Sequence, residues 1–305
     1  MRALVIANVD DADPGIVGER FRHHGFGFTD CFREHPSEWP DLPGHDLVLL
    51  LGSEWSVYWD DVARSVRAEC ELVKNAVEQG IPLFAICFGA QITARALGGT
   101  VERARRPEVG WHHVESDRPE VIATGPWLQW HFDVLSVPAG LTEIARSPSG
   151  PQAMVGGRVL GTQFHPEATE TMLSRWTSGD SSDLRRLGLD PDEVMAATRR
   201  EVVNSRPRAE ALVDWFVDEL MGHQPRPDGR QKTSHAGQEL GRSSAQVVAS
   251  DHDVGLLEVV PHRLLVRAGG PALGLFAVGH FGTHPSGSAH PRKAAHLRER
   301  CRPGG

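Results

Sequence analysis

Short apolar runs alternate with longer amphipathic stretches along the first two thirds of the chain. Most of the runs are apolar at consecutive positions, which is typical of parallel strands buried on both faces by helices. They lie at residues 3–7, 28–32, 46–51, 81–86 and 158–164. Residues 60–79 carry apolar side chains at helical spacing and predict an amphipathic helix that ends at Gly80. The alternation predicts an α/β domain in three layers, with an open, mostly parallel, twisted sheet flanked by helices.

The apolar runs between residues 98 and 157 are shorter and are separated by turn residues. This pattern predicts an antiparallel extension of the sheet, with strands over 100–103 and 109–115. A helix predicted over 207–221 closes the domain on the sheet. The acidic loop at 10–13 is interpreted as a solvated cap of the following helix, because its spacing lacks the rest of a calcium loop.

The sharpest change of pattern lies at Cys87, where the apolar run 81–86 gives way to helical spacing over 88–97. A side chain on such a strand-to-helix turn projects above the sheet edge, and Gly89 lets the backbone pass close by. The helix N-terminus favours a thiolate, and its free N–H groups can hold a developing oxyanion. A lone cysteine in a strand is ordinarily a core residue, but strand, Cys, Gly and helix in register favour a nucleophile.

A partner for this nucleophile is expected at His165, which follows the apolar run 158–164. Residues two apart on an extended chain point to the same face, and Pro166 holds the backbone extended. Glu167 can therefore orient the His165 imidazole and leave its second nitrogen to accept the Cys87 proton. A His-Pro-Glu tripeptide alone is weak evidence, but after a strand and together with a cysteine elbow it indicates a catalytic pair.

Two segments together resemble a known family, namely Ala85-Ile-Cys87-Phe-Gly89-Ala-Gln91 and His165-Pro-Glu167. They are similar to the class I glutamine amidotransferases, whose triad is Cys-His-Glu, and the likeness extends over residues 1–221. It implies a stand-alone amidotransferase-like domain of flavodoxin-like fold with Cys87, His165 and Glu167 as its triad. One departure is Ala85, where the family usually has Gly. The Ala85 methyl group must fit near a tight turn, so we expect a slightly reshaped elbow.

The resemblance also implies residues that bind the substrate, which are Gly52, Phe88, Gln91, His131 and Phe132. The backbone N–H groups of Gly52 and Phe88 correspond to the oxyanion donors, and Gln91 matches a position that contacts bound glutamine. His131 and Phe132 lie in a segment whose backbone recognises the amino-acid head of glutamine. His131 and Asp133 could form a second dyad, but the family does not use this pair catalytically. A structural or ground-state binding role is therefore expected for His131.

The activity implied by the resemblance is hydrolysis of the glutamine side-chain amide through a γ-glutamyl thioester on Cys87. The ammonia would pass to an unidentified acceptor, for example a separate synthetase subunit, since no synthetase domain and no phosphate-binding P-loop is recognisable in the sequence. No metal or organic cofactor is expected for this half-reaction. Two alternatives stay open: a γ-glutamyl peptidase that cleaves another γ-glutamyl amide or peptide, and a catalytically silent regulatory subunit.

Composition narrows the class of protein further. The 305 residues carry a net charge of −8, and no basic stripe with interleaved aromatics predicts nucleic-acid binding. The four cysteines are widely spaced and lack a CxxC pair, which suits a reducing compartment. The N-terminus shows no signal-peptide pattern, and no apolar run is long enough to span a membrane. A cytoplasmic protein without nucleic-acid or membrane partners is expected.

Residues 222–305 differ from the preceding domain. They carry 11 Lys and Arg against 6 Asp and Glu, lack Trp and Tyr, and hold eight of the 16 histidines. Their convincing apolar runs are confined to 256–260 and 264–266. So little apolar surface is not expected to offset the conformational entropy of folding. We therefore predict a domain over 1–221 and a disordered, low-complexity C-terminal extension over 222–305.

Overall fold

The computed structural model describes residues 1–179 and 181–222. The ten strands are β1 (Arg2–Ala7), β2 (Gly27–Phe32), β3 (Leu47–Leu50), β4 (Leu83–Ile86), β5 (Val101–His112), β6 (Glu115–Ser116), β7 (Trp127–Leu135), β8 (Thr142–Ser147), β9 (Gly150–Gly156) and β10 (Val159–Thr162). The α-helices are α1 (Gly15–His23), α2 (Ala63–Glu78), α3 (Phe88–Ala96), α4 (Glu170–Gly179), α5 (Ser181–Arg186) and α6 (Pro191–Trp215). The extension predicted over 222–305 lies outside the described residues except for Gly222 and stays a prediction.

Eight of the strands form one sheet in the order β2-β1-β3-β4-β10-β9-β8-β6. The first five pair in parallel, and the last three add an antiparallel edge. β5 and β7 form a separate two-stranded antiparallel ribbon. The predicted α/β class with a mostly parallel sheet is thereby confirmed. β4 lies between β3 and β10, so the ends of these three strands meet at one edge.

Two cores, one on each face of the sheet, make the three layers. On one face the sheet packs against α1 and α6, with the Phe21 ring in edge contact with those of Phe84 and Phe216. On the other face it packs against α2 and α3, which bury Val66, Val73 and Ile92 among other apolar side chains. Burial of strands on both faces explains their consecutive apolar positions. None of the described helices is long and apolar enough to cross a bilayer.

Three local predictions are corrected by the tertiary structure. The two strands predicted over 100–103 and 109–115 are largely one strand, β5. Its pairing with β7 shifts register after Arg103, as expected of a β-bulge near a proline. The helix predicted to begin at Pro207 is instead the end of α6, in which Pro207 is internal. Packing of α6 against α1 and α4 outweighs the local cost of that proline.

The third correction concerns the acidic loop before α1. Asp13 does contact the helix start, because its Oδ1 accepts the Gly15 N–H at 2.9 Å. Asp11, however, is not solvated as predicted. Its carboxylate accepts hydrogen bonds from Trp176 at 2.8 Å and Arg175 at 3.2 Å, both on α4. The loop therefore ties two helices together at the edge where β3, β4 and β10 end.

Candidate active site

The candidate active site is centred on a strained turn between β4 and α3. Among the described residues, Cys87 is the one non-glycine residue with positive φ, at φ 50° and ψ −107°. Such a conformation costs free energy and persists where the surrounding structure imposes it, commonly at functional sites. Here the Cys87 N–H donates to the Thr162 carbonyl of β10 at 2.7 Å and holds the turn in place. The elbow predicted at Cys87 is thus present in the fold.

Close packing of α3 against β3 explains the glycine in this turn. A Cβ atom added to Gly89 would lie 2.6 Å from both the carbonyl oxygen and the Cβ of Leu50. Ala85, the departure from the family pattern, is fully buried in β4 and pairs with Leu50 on one side and Gly161 on the other. The Ala85 methyl group is accommodated in the sheet core while Cys87 still adopts the left-handed elbow.

His165 and Glu167 form a buried hydrogen-bonded pair beside this elbow. His165 Nδ1 contacts Glu167 Oε1 at 2.7 Å, and both side chains are at least 96% buried. The backbone N–H of His165 donates to the Leu128 carbonyl at 2.8 Å, and the Glu167 carbonyl accepts the Ile16 N–H at 3.0 Å. The carboxylate fixes the tautomer with its proton on Nδ1. Nε2 is left without a hydrogen-bond partner among the described residues.

The surroundings of His165 favour its charged form. Burial lowers the pKa of the imidazole, but the charges of Glu167 and Cys87 outweigh that effect and raise the pKa well above its ordinary value. His165 and Glu167 can therefore form a buried ion pair before any substrate binds.

Two glutamine side chains form a chain of hydrogen bonds that ends at Cys87. Gln163 Nε2 donates to Cys87 Sγ at 3.6 Å, and Gln91 Nε2 donates to Gln163 Oε1 at 3.3 Å. The side chain of Gln91, predicted to contact bound glutamine, is thus buried behind Gln163. Sequence reasoning missed Gln163. The signal was available, because Gln163 precedes His165 by two residues on an extended chain and so shares its face.

Gly52 lies directly against His165 and Cys87. A Cβ atom added to Gly52 would lie 3.0 Å from His165 Cε1 and 3.7 Å from Cys87 Cβ. The predicted Gly52 and Phe88 are thus both brought to the elbow, Phe88 as the residue that follows Cys87. Arg33, which sequence reasoning also missed, donates to the Gly52 carbonyl at 2.7 Å.

The region around this site is similar to known proteins of one family. Residues 59–175 match the model of the class-I glutamine amidotransferases. This span contains Cys87, His165 and Glu167 in the geometry described above. A solved glutamine amidotransferase from Thermotoga maritima superimposes with a TM-score of 0.64 at 27% identity, covering 72% of this chain and 98% of that chain. Residues 59–175 thus form a domain that matches the class-I glutamine amidotransferases.

Curated relatives of this chain include glutamine-hydrolysing GMP synthases. The protein from Staphylococcus carnosus is 37% identical over 100 residues, which are 30% of this chain and 20% of the relative. That from Staphylococcus saprophyticus is 33% identical over 132 residues, which are 41% of this chain and 24% of the relative. The chain therefore spans less than a quarter of the length of these relatives. A solved glutamine amidotransferase from Methylobacillus flagellatus, at 21% identity and a TM-score of 0.63, shows the same fold.

The side chains of His131 and Phe132 have partners other than Cys87. His131 Nδ1 contacts the main-chain oxygen of Asp133 at 3.0 Å, and its Nε2 contacts Glu108 at 3.3 Å. The central carbon of the Arg103 guanidinium lies over the Phe132 ring, 5.0 Å from the ring centroid. The part of this segment that reaches Cys87 is the carbonyl oxygen of Trp130, 3.9 Å from Sγ. Substrate binding by His131 and Phe132 therefore stays a prediction for their backbone groups.

Two tryptophans that sequence reasoning missed cover His165. The Trp176 ring lies edge-on to the His165 ring with centroids 5.0 Å apart, and Trp130 lies 5.7 Å from Trp176. Both tryptophans are half-buried. Trp176 comes from α4, a separate element from the strand that leads to His165, so the period of neither element indicates this contact. The two tryptophans form an aromatic wall on one side of the site.

Proposed function

We propose that this domain hydrolyses the side-chain amide of glutamine through a γ-glutamyl thioester on Cys87 and supplies the ammonia to an acceptor. The observation that carries the proposal is the strained Cys87 elbow beside a buried His165–Glu167 pair, whose second ring nitrogen has no hydrogen-bond partner among the described residues. The match of residues 59–175 to the class-I glutamine amidotransferases supports the same reaction. The GMP synthase relatives are glutamine-hydrolysing by name.

The first half-reaction forms the thioester. Cys87 Sγ attacks the amide carbon of glutamine while His165 holds the thiol proton, and the C=O electrons move onto oxygen. The N–H groups of Gly52 and Phe88 stabilise this oxyanion. Collapse of the tetrahedral intermediate breaks the C–N bond, and His165 delivers its proton to the departing nitrogen, which leaves as ammonia. Glu167 keeps the imidazole oriented and stabilises its charge throughout.

The second half-reaction regenerates the enzyme. His165 Nε2 accepts a proton from water as its oxygen attacks the thioester carbon, again through an oxyanion at the same donors. The C–S bond then breaks, glutamate leaves, and the thiolate–imidazolium pair is restored. Gln163 donates to Sγ at 3.6 Å and so stabilises the sulfur when it carries negative charge.

The ammonia acceptor is proposed by analogy with the relatives. These relatives are glutamine-hydrolysing GMP synthases, and the matched segment is a minor part of each. We propose a synthetase on a separate subunit as the acceptor for the ammonia released here.

A second candidate is cleavage of a γ-glutamyl amide with an apolar amine. The observation that favours it is the aromatic wall of Trp130 and Trp176 beside His165. Half-buried indole rings there could contact an apolar leaving group, whereas ammonia makes no use of such a surface. Comparing kcat/KM for glutamine with that for γ-glutamyl anilide separates the two candidates, since an apolar preference would favour the anilide.

The proposed chemistry can be tested by turnover and by labelling. Purified protein should convert glutamine into equal amounts of glutamate and ammonia, and hydroxylamine should divert the thioester to the γ-glutamyl hydroxamate. Cys87→Ala should abolish both products without unfolding the domain. A glutamine-like diazoketone should label Cys87 rather than Cys31 or Cys70, because burial raises the pKa of each of those thiols to about 11.

The outcomes discriminate between the proposals. No turnover of glutamine or of any γ-glutamyl amide by the wild type would contradict the enzyme assignment and favour a regulatory subunit. Label on Cys31 or Cys70 would show that the nucleophile is misassigned. Equal activity of Cys87→Ala and wild type would have the same consequence.

A further inference from the structure

Arg33 is a completely buried arginine that lies directly behind the elbow. It follows β2, and its backbone N–H donates to the Ala7 carbonyl at 2.9 Å. A buried guanidinium is costly unless each donor finds an acceptor. The acceptors of the Arg33 side chain are Glu69 Oε1 at 3.0 Å, Asn8 Oδ1 at 2.6 Å, and the carbonyl oxygens of Gly52 at 2.7 Å, Leu51 at 3.1 Å and Ile6 at 3.3 Å.

Two of these contacts determine how the backbone at Gly52 is oriented. The Leu51–Gly52 peptide is trans, so its carbonyl and its N–H lie on opposite edges of the peptide plane. Because Arg33 holds the Leu51 carbonyl, the Gly52 N–H is directed away from Arg33. Arg33 also holds the Gly52 carbonyl, which fixes the next peptide in the same way. Gly52 itself lies against His165 and Cys87.

The same guanidinium also contacts the residue that supplies the other oxyanion donor. Its central carbon lies 5.0 Å from the centroid of the Phe88 ring, within cation–π range. The Phe88 ring is buried, and Trp55 packs edge-on against it at 6.4 Å. One side chain thus links the backbone after β3 to the first residue of α3.

We propose that Arg33 is the positioning residue of the oxyanion site, holding the N–H groups of Gly52 and Phe88 at one point beside Cys87. The inference deepens the proposed glutaminase function and rests on it. Glu69 is completely buried and neutralises the Arg33 charge at close range. The contribution of Arg33 is therefore chiefly geometric: it removes the freedom of the Leu51–Gly52–Ser53 backbone to rotate its N–H groups away from the oxyanion.

Two variants and one control test this role. Arg33→Lys keeps the charge but loses the planar fork that reaches several acceptors. The double variant Arg33→Met with Glu69→Leu removes the buried ion pair together, which avoids an unpaired buried carboxylate and keeps the fold testable. Arg20→Met is the matched control, because Arg20 forms a bidentate pair with Asp214 at 2.6 Å between α1 and α6 and touches no part of the site.

The readouts separate oxyanion geometry from general damage. Losing one oxyanion donor costs about 10²- to 10³-fold in kcat, and we expect losses near the lower figure for both Arg33 variants with KM nearly unchanged. The γ-aldehyde analogue of glutamine adds to Cys87 as an oxyanion, so its affinity should fall in proportion to kcat. Iodoacetamide alkylates the sulfur at a saturated carbon without any oxyanion. Its rate with Cys87 should stay close to that of the wild type.

Three results would overturn the inference. The first is wild-type turnover in both Arg33 variants. The second is a loss of turnover that is matched by an equal loss of the alkylation rate. The third is a loss of kcat in Arg20→Met as large as that in the Arg33 variants when Tm falls by the same amount. A wild-type protein without glutaminase activity would instead overturn the proposed function. In that case, aldehyde affinity compared between wild type and Arg33→Lys still reports on Arg33, and unchanged affinity would overturn its role.

Discussion

His165 and His131 occupy similar positions yet have different environments. Each is almost completely buried and precedes a carboxylate by two residues, Glu167 and Asp133 respectively. His165 Nδ1 contacts the Glu167 carboxylate at 2.7 Å, whereas His131 Nδ1 contacts only the main-chain oxygen of Asp133. The second nitrogen of His131 contacts Glu108, whereas that of His165 is unpartnered among the described residues.

The two histidines differ because the carboxylates that follow them have different partners. The Asp133 carboxylate accepts hydrogen bonds from Ser56 at 2.5 Å and Tyr58 at 2.8 Å, both in the chain that follows β3. It is therefore engaged in holding that loop and cannot orient His131. A His-x-acid spacing thus identifies a catalytic pair only when the two side chains bond each other and the free nitrogen meets a nucleophile.

The largest expected effect is the difference in kcat/KM between the alanine variants of His165 and His131. His165→Ala removes both the base and the acid, so kcat/KM for glutamine should fall by about 10⁴-fold. His131→Ala removes contacts to Glu108 and to β7, so Tm should fall while kcat/KM stays within about tenfold of wild type. Ammonia release and thermal unfolding of both variants measure the contrast. Similar losses of kcat/KM would show that His131 takes part in the chemistry.

Neutralising Glu167 should have a smaller effect. Glu167→Gln keeps a hydrogen-bonding group beside Nδ1 but loses the charge, and a charge-assisted hydrogen bond is worth about 1.5–3 kcal/mol, or roughly 10- to 100-fold in kcat/KM. The Glu167 charge helps to raise the pKa of His165. The midpoint of the His165 imidazole titration, followed by NMR, should therefore move to lower pH in Glu167→Gln. An unchanged midpoint and rate would place the orienting role elsewhere.

Neutralising Asp133 should have a still smaller effect, because its carboxylate acts through the loop after β3. Asp133→Asn keeps one acceptor oxygen for two donors, so either Ser56 or Tyr58 loses its partner. We expect kcat/KM to fall by about fivefold, equivalent to about 1 kcal/mol, mainly through KM. Tyr58→Phe should give a similar loss by removing the donor instead. A loss as large as that of Glu167→Gln would contradict the distinction drawn between the two carboxylates.

The smallest expected effect is on stability as a function of pH. The folded pKa of His165 is raised above its unfolded value, so its protonated form is stabilised by folding. That contribution is fully present below the unfolded pKa of about 6.5 and is lost as pH rises through the folded value. The difference in unfolding free energy between wild type and His165→Gln, measured by urea titration, should therefore shrink with rising pH. A difference that grows with pH would contradict the raised pKa.

Much of the site could be predicted from local sequence. The change of period at Cys87 indicated the elbow, and the run before His165 indicated the strand that delivers it. Periodicity, glycine and proline act within a few residues, so the sequence carries these signals directly. The triad residues meet in the fold because β4 and β10 are neighbours and register in parallel. The side chains of Gln91 and His131, by contrast, bond Gln163 and Glu108, partners that local sequence did not indicate.

Local sequence patterns were thus enough to predict most of the elements, the α/β class and the residue types at the ends of β4 and β10. The contacts of Arg33 with Gly52, of Asp133 with Ser56 and Tyr58, and of Trp176 with His165 depend on the folded chain. The partners joined by these hydrogen bonds are 19 to 77 residues apart along the chain. Strand order and register bring them together, and no periodicity along the chain encodes which distant polar groups share one buried position.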